Sequence, residues 1–413
     1  MSVSTRFILS WTLGTGSRIL SGGIFLTGFL LLLNASDLLV GLMGSVNAWT
    51  LLLSLLASYV VERTRRRKRL LLTVVCMMRL LSCLPVLFPL IVGFSARAAH
   101  LVVICVLMGH CVFSIHTTDA NLYMLDTLGG NKNKAFLYRR LQYMRGMEML
   151  CLPAGGLLVD CLGAGYEGYL LLFGVALMFG LGEIYVLAGI HGPADVRTAP
   201  LRTEGFFSSL PLPWKHAQYR RFLIFSLAFF TCYYMVVPYQ SLYLLKYVNL
   251  PTSTVSAVQT AQGIFIVLCS RWWGKKETQK GSAWVLKMTA LLLPLDFGLY
   301  ALVQPGRIWP LALAVCSTGF AGGGFWVGIL SYRYELMPQQ YKSVFEAWNG
   351  ISFAAASLLG TLLGAKIQTL FAALMDMNME NGYRLMFVLA GCMCIAVAAG
   401  FCIWKPQMKG EGQ

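Results

Sequence analysis

Ser58-Tyr59-Val60-Val61-Glu62-Arg63-Thr64-Arg65-Arg66-Arg67-Lys68 interrupts the chain between two apolar runs, residues 38–61 and 70–93. A dense cluster of charge between two such runs reads as a loop held at a membrane surface. A helix rises 1.5 Å per residue, so crossing about 30 Å of hydrocarbon takes roughly 20 apolar residues. Outward from this loop, further runs of that kind lie near 7–33, 100–124, 140–163 and 168–190. A polar stretch, 191–220, follows, and then a second set near 221–245, 253–270, 284–303, 309–331, 344–373 and 384–404. Only helices or closed barrels satisfy their backbone in lipid, and these runs are too long and continuous for barrel strands. The expected class is therefore all-α transmembrane, with twelve spans.

Composition agrees. Hydrophobic residues make up 57% of the 413 positions and charged residues 12%, against about 45–50% and about 25% in soluble domains. The formal charge of +16 would suit a nucleic-acid partner, but its placement argues for topology instead. With the N-terminus inside, 24 of the 33 lysines and arginines fall in inside segments and four (Arg97, Lys246, Arg307, Arg384) in outside loops. Such a split is the positive-inside pattern, with both termini cytoplasmic. Met1–Arg6 leads straight into the first apolar run with no small-residue cleavage site, so that run reads as a span rather than a leader. The twelve cysteines form no CxxC pair and no Cys/His cluster, so neither a metal site nor a disulfide framework is expected.

The stretch 191–220 divides the chain into a six-span bundle, 1–190, a cytoplasmic linker, and a second bundle, 221–413. At an ungapped offset of 216 residues, the 58–68 loop falls on Gly274-Lys275-Lys276-Glu277-Thr278-Gln279-Lys280-Gly281, after the eighth run. Asn34-Ala35-Ser36 falls likewise on Leu250-Pro251-Thr252. These loops resemble the G-x-x-x-D-R-x-G-R-R/K motif between spans 2 and 3 of the major facilitator superfamily, which is often echoed between spans 8 and 9. Glu62, Arg63, Arg66 and Arg67 match the acid, the arginine and the basic pair, while Ser58 and Arg65 replace the glycines. In the second copy Gly274 and Gly281 survive, and Thr278 and Gln279 replace the charges. The resemblance implies two six-helix bundles related by a pseudo-two-fold axis; the compact loops suggest a prokaryotic cytoplasmic membrane, and no cofactor is expected. Glu62, Arg63, Arg66, Arg67, Gly274 and Gly281 would form a conformational latch. A topology anchor is the alternative for the arginines.

Charges inside spans mark candidate sites, because each costs about 2.5–3.5 kcal/mol at the bilayer centre even on insertion scales. Arg18 lies mid-span among Gly14, Thr15, Ser17, Ser21 and Gly22. His116 and Asp119, three residues apart, share a helical stripe in span 4. The family resemblance puts spans 1, 4, 7 and 10 around a central cavity, so Arg18, His116 and Asp119 would meet on the solute path. An internal salt bridge locking spans 1 and 4 is the alternative. The offset carries Arg18 onto Tyr234, and span 10 holds Trp326 beside Gly322-Gly323-Gly324, which suits a bending, gating helix or close packing. Arg145 and Glu148 read as a self-satisfying pair, and Pro153-Ala154-Gly155-Gly156 loosely resembles an antiporter motif. Arg79 and Glu183, on spans that are peripheral in the family, read as a structural pair. Asp296 and Lys366 have no evident role.

A secondary transporter of a small organic solute follows from this, with a proton as candidate coupling ion and a monomer as the expected state. A multidrug/proton antiporter is the nearest alternative. A channel fits two related halves less well. A lipid-modifying membrane enzyme would need an HExxH, GxSxG, paired-acid or phosphate-loop motif, and the sequence carries none.

Overall fold

A computed structural model describes residues 2–53, 67–128, 133–190, 211–337, 342–374 and 378–403. Ten helices in it are long and apolar enough to cross a membrane. The twelve expected spans differ from this number for two physical reasons. Span 2 begins as Asp37–Gly44, Val46–Trp49 and the turn Thr50–Leu53, and the rest of it lies outside the described residues. Span 5 is a continuous helix, Asn133–Cys161, but Arg139, Arg140, Arg145 and Glu148 dilute its apolar character.

The chain forms two compact units rather than two consecutive blocks. The first comprises Met1–Leu201 with Ser241–Thr260, and the second Arg202–Gln240 with Ala261–Gln413. The end of span 7 and the start of span 8 thus belong to the first unit, which sequence division at the linker does not foresee.

In the first unit, span 1 is two helices, Val3–Leu20 and Gly23–Leu32. The break has a local cause. Gly23 sits at φ +53, where a Cβ would be strained, and a Cβ on Gly22 would stand 2.8 Å from the Arg18 carbonyl oxygen. Span 3 starts as Arg67–Cys83 and tightens at Leu84–Leu87, where Pro85 removes a donor. Span 4 is Ala96–Leu128 and span 6 is Tyr166–Ala188. Span 1 packs on spans 5 and 6, and span 3 on spans 4 and 6. Phe7, Leu71, Val75, Ala120, Leu187 and Ile190 form one buried apolar cluster, with Trp11 against it.

Two carboxylates tie the later segment into this unit. Asp160, at the end of span 5, accepts the backbone N–H groups of Thr252 at 3.1 Å and Ser253 at 2.7 Å. It therefore satisfies the donors that a helix start leaves open. Asp37 pairs with Lys246 and accepts the Tyr247 hydroxyl at 2.7 Å.

In the second unit, span 7 runs Ala217–Tyr234 and then enters Val237–Leu242, whose last two residues belong to the first unit. Span 8 is one helix, Thr252–Lys280. Span 9 is Ser282–Leu292 and Leu295–Ala301, divided at Pro294. Spans 10, 11 and 12 are Trp309–Leu336, Lys342–Leu374 and Met379–Ile403. The expected loop at 274–281 is corrected here. Span 8 continues through Gly274 to Lys280, and Gly281 alone makes the turn at φ +83. Glutamate, glutamine and lysine are good helix formers, so a polar stretch there extends the helix beyond the lipid.

Small residues set the packing. A Cβ on Gly364 would lie 2.5 Å from the Met235 carbonyl oxygen, and one on Gly360 would collide with that of Thr231, so span 11 lies directly on span 7. Span 10 is unbroken, and its glycines bring it onto span 8: Cβ atoms on Gly323 and Gly324 would stand 2.9 Å from the Ile266 oxygen and 2.6 Å from the Trp273 ring. Close approach rather than bending is what these glycines provide in this structure. Outward, large apolar side chains such as Ile91, Leu150, Met178, Leu268 and Leu374 are exposed, as lipid contact requires.

Candidate functional site

The break after Arg18 opens space inside the first unit. A cavity of about 190 Å³ is lined by the broken segment Ser21-Gly22-Gly23 and by Arg18, Asn47, Arg79, Ser82, His110, Glu148 and Gln259. A second, of about 180 Å³, is lined by Trp11, Thr15, Arg18, Arg79, Phe113, His116 and Glu183. Arg18, Arg79 and Phe113 belong to both.

The centre of this region is a fully buried ion pair. Arg79 donates from Nε at 2.8 Å and from Nη2 at 2.6 Å to Glu183 Oε2, and from Nη2 at 3.0 Å to the Gly14 carbonyl. Glycine makes the room. A Cβ on Gly14 would lie 2.5 Å from Glu183 Oε1, and one on Gly180 would lie 2.9 Å from the Arg79 stem. Spans 1, 3 and 6 thus meet around one guanidinium. His116 joins them, its Nε2 3.8 Å from Glu183 Oε1 and its ring against Trp11 and Phe113. His116 Nδ1 has no hydrogen-bond partner among the described residues.

Arg18 behaves differently. Its side chain is exposed to the cavities and makes no hydrogen bond among the described residues, although it faces Glu148 and neighbours Arg79 and Arg145. Glu148 is itself bonded by Arg145 at 2.7 Å, as an i,i+3 pair. Arg18 is thus the guanidinium that faces the cavity without a hydrogen bond among the described residues, next to the neutral donors and acceptors of Asn47, Ser82 and Gln259. Such a set suits a small molecule that carries several hydrogen-bonding groups.

The expected site residues are distributed unevenly. Arg18 and His116 line one cavity. Asp119 lies on the helix of span 4, and its side chain is outside the described residues. Its neighbour Ala120 packs with Phe7, and Arg18 stands roughly 16 Å further along span 1 by helical rise. Tyr234 and Trp326 belong to the second unit. There Tyr234 meets Phe353 edge-on at 5.6 Å, and Trp326 stacks on Phe230 at 6.1 Å. Glu62, Arg63 and Arg66 of the expected latch lie outside the described residues; Arg67 opens span 3 with its side chain likewise outside them. Arg79 and Glu183, which read as a structural pair in the sequence, also line this space, Arg79 in both cavities and Glu183 in the second. The available signal was Gly14 and Gly180, small residues on helices facing two opposite charges.

Compared by sequence with curated proteins, the chain has no significant match. Among solved structures it is similar to the nucleoside transporter NupG, with TM-score 0.73, 13% identity, and coverage of 98% of this chain and all of that one. It is similar to a D-xylose-proton symporter, with TM-score 0.73, 14% identity, and coverage of 100% and 99%. A POT family transporter in complex with 5-aminolevulinic acid gives TM-score 0.72 at 11% identity, covering 98% and 96%. At such identities these likenesses speak for the fold. The family model of the Major Facilitator Superfamily matches residues 7–361, and the chain belongs to that superfamily of membrane transporters.

Proposed function

We propose that this protein is a secondary transporter that binds a small polar organic solute at the Arg18 cavity of the first unit and carries it by alternating access. The observation behind this reading is Arg18 itself, a charged side chain inside a span that faces open space instead of a bonded partner. An intramembrane charge without a bonded partner is a functional position by default. The similar structures are a nucleoside transporter, a D-xylose-proton symporter and a POT family transporter in complex with 5-aminolevulinic acid, and the molecules so named are small and polar. The 24-to-4 distribution of basic residues supports a cytoplasmic membrane with both termini inside.

Asp119 enters the same proposal as the candidate carboxylate for proton coupling, one turn from His116. Accumulation of solute on a pH gradient by Asp119→Asn at the wild-type level would remove it from that role. The binding claim is tested by counterflow in proteoliposomes against a panel of nucleosides, sugars, amino acids and small peptides. The solute that wild type exchanges fastest should be exchanged at least tenfold more slowly by Arg18→Gln. An unimpaired Arg18→Gln protein would place the solute elsewhere.

A further inference from the structure

The second unit holds a buried acid that the Arg18 site does not use. Asp296 follows Pro294 in the interrupted span 9 and is 3% exposed. The Thr318 hydroxyl donates to its Oδ2 at 2.8 Å, and the Gln240 side chain and the Phe297 backbone N–H also reach the carboxyl. Oδ1 has no hydrogen-bond partner among the described residues. Burying an acceptor without a donor costs free energy, and an unpaired charge costs more.

Each element packed around Asp296 presents a neutral group. Span 7 contributes Tyr233 and Gln240, span 10 contributes Thr318, and span 12 contributes Cys394. Tyr300, on its own helix, accepts a hydrogen bond from Gln262 of span 8 at 3.2 Å. No described cation is among the groups that act on Asp296. Arg384 donates to the Ala301 carbonyl at 2.6 Å, Lys287 to the Cys402 carbonyl at 3.2 Å, and Lys366 is exposed. A carboxylate in this nest therefore faces a hydroxyl, an amide, phenols and a thiol, and no described cation.

We propose that Asp296 is a proton-binding site of the second unit, with the proton carried on Oδ1. The group then alternates between a neutral acid and an anion, taking one proton from water and returning one. Helix capping at the Pro294 break is the competing explanation for an aspartate here. An asparagine would serve that purpose equally well, because it keeps an oxygen that can accept from Thr318. The charge is what capping does not need.

The test reads the proton directly and does not depend on the solute. Infrared difference spectra of the full-length protein in liposomes are recorded on an acid-to-alkaline pH step, in water and in D2O. Wild type should show a carboxylic-acid carbonyl band that is lost as the carboxylate bands grow, and that shifts in D2O. Asp296→Asn should lack that band. Thr318→Val should keep it at a displaced frequency, since it removes the hydrogen bond but not the acid, and this variant serves if Asp296→Asn does not fold. The same band in Asp296→Asn, its indifference to Thr318→Val, or no pH-sensitive acid band in wild type would each overturn the proposal. Loss of the band on adding Na⁺ at fixed acidic pH would overturn it too, in favour of a metal-cation site.

Discussion

In the first unit Arg79 of span 3 pairs with Glu183 of span 6 in the buried interior, and Arg145 pairs with Glu148 along span 5 itself. In the second unit the acid Asp296 sits among aromatic and hydroxyl groups, beside a cluster of stacked and edge-on rings that includes Phe229, Phe230, Tyr233, Phe325 and Trp326. Both interiors lie in the same low-dielectric surroundings, so the difference has consequences. A paired interior holds fixed charges and can leave one guanidinium, Arg18, free to meet a solute. An interior without a counter-charge leaves a carboxylate's charge uncompensated, which is the basis of the proton site proposed at Asp296.

The strongest way to break this comparison is to unpair the first unit. Arg79→Gln strands Glu183 in a fully buried position and should cost about 3–5 kcal/mol. The double change Arg79→Leu with Glu183→Leu should recover most of that stability, because it removes both desolvation penalties. Unfolding of the purified variants in detergent would measure both. Equal losses in the single and double variants would show that the pair does not act as a pair.

A smaller effect separates packing glycines from idle ones. Gly364→Ala drives a methyl group against the Met235 carbonyl, and overpacking of that kind costs about 1–3 kcal/mol. Gly274→Ala meets open space inside a continuous helix and should stabilise it by about 0.5–1 kcal/mol. If Gly274→Ala destabilised instead, the span 8 helix would end earlier and the loop expected from sequence would return. Smaller still, Asp160→Ala removes the acceptor for Thr252 and Ser253 and should cost about 1 kcal/mol, seen as faster amide exchange confined to the first turn of span 8.

The spans and the membrane class were legible because hydropathy acts over windows of twenty residues and needs no partner. The end of span 8 was less so: its charges pointed to a loop, while their helix propensity let it continue to Lys280. Span 5 was readable despite its charges because the apolar run after Met149 is intact. At the site, Arg18 and His116 could be picked out because an isolated charge or imidazole in a span stands out locally. The reach of Arg79 into span 1 could not, since it depends on Gly14 and Gly180 leaving room from two other helices. Asp296 stayed unexplained for the same reason. The groups facing it come from positions 233, 240, 318 and 394, which no periodicity connects.

Arg18 is proposed here as the open charge that faces the cavities of the first unit. Counterflow of the fastest wild-type solute, compared between wild type, Arg18→Gln and Arg18→Lys at matched protein incorporation, measures that claim. Loss of at least tenfold in Arg18→Gln, with partial recovery in Arg18→Lys because the charge returns without the guanidinium fork, is the predicted result. Exchange at the wild-type rate in Arg18→Gln would contradict it.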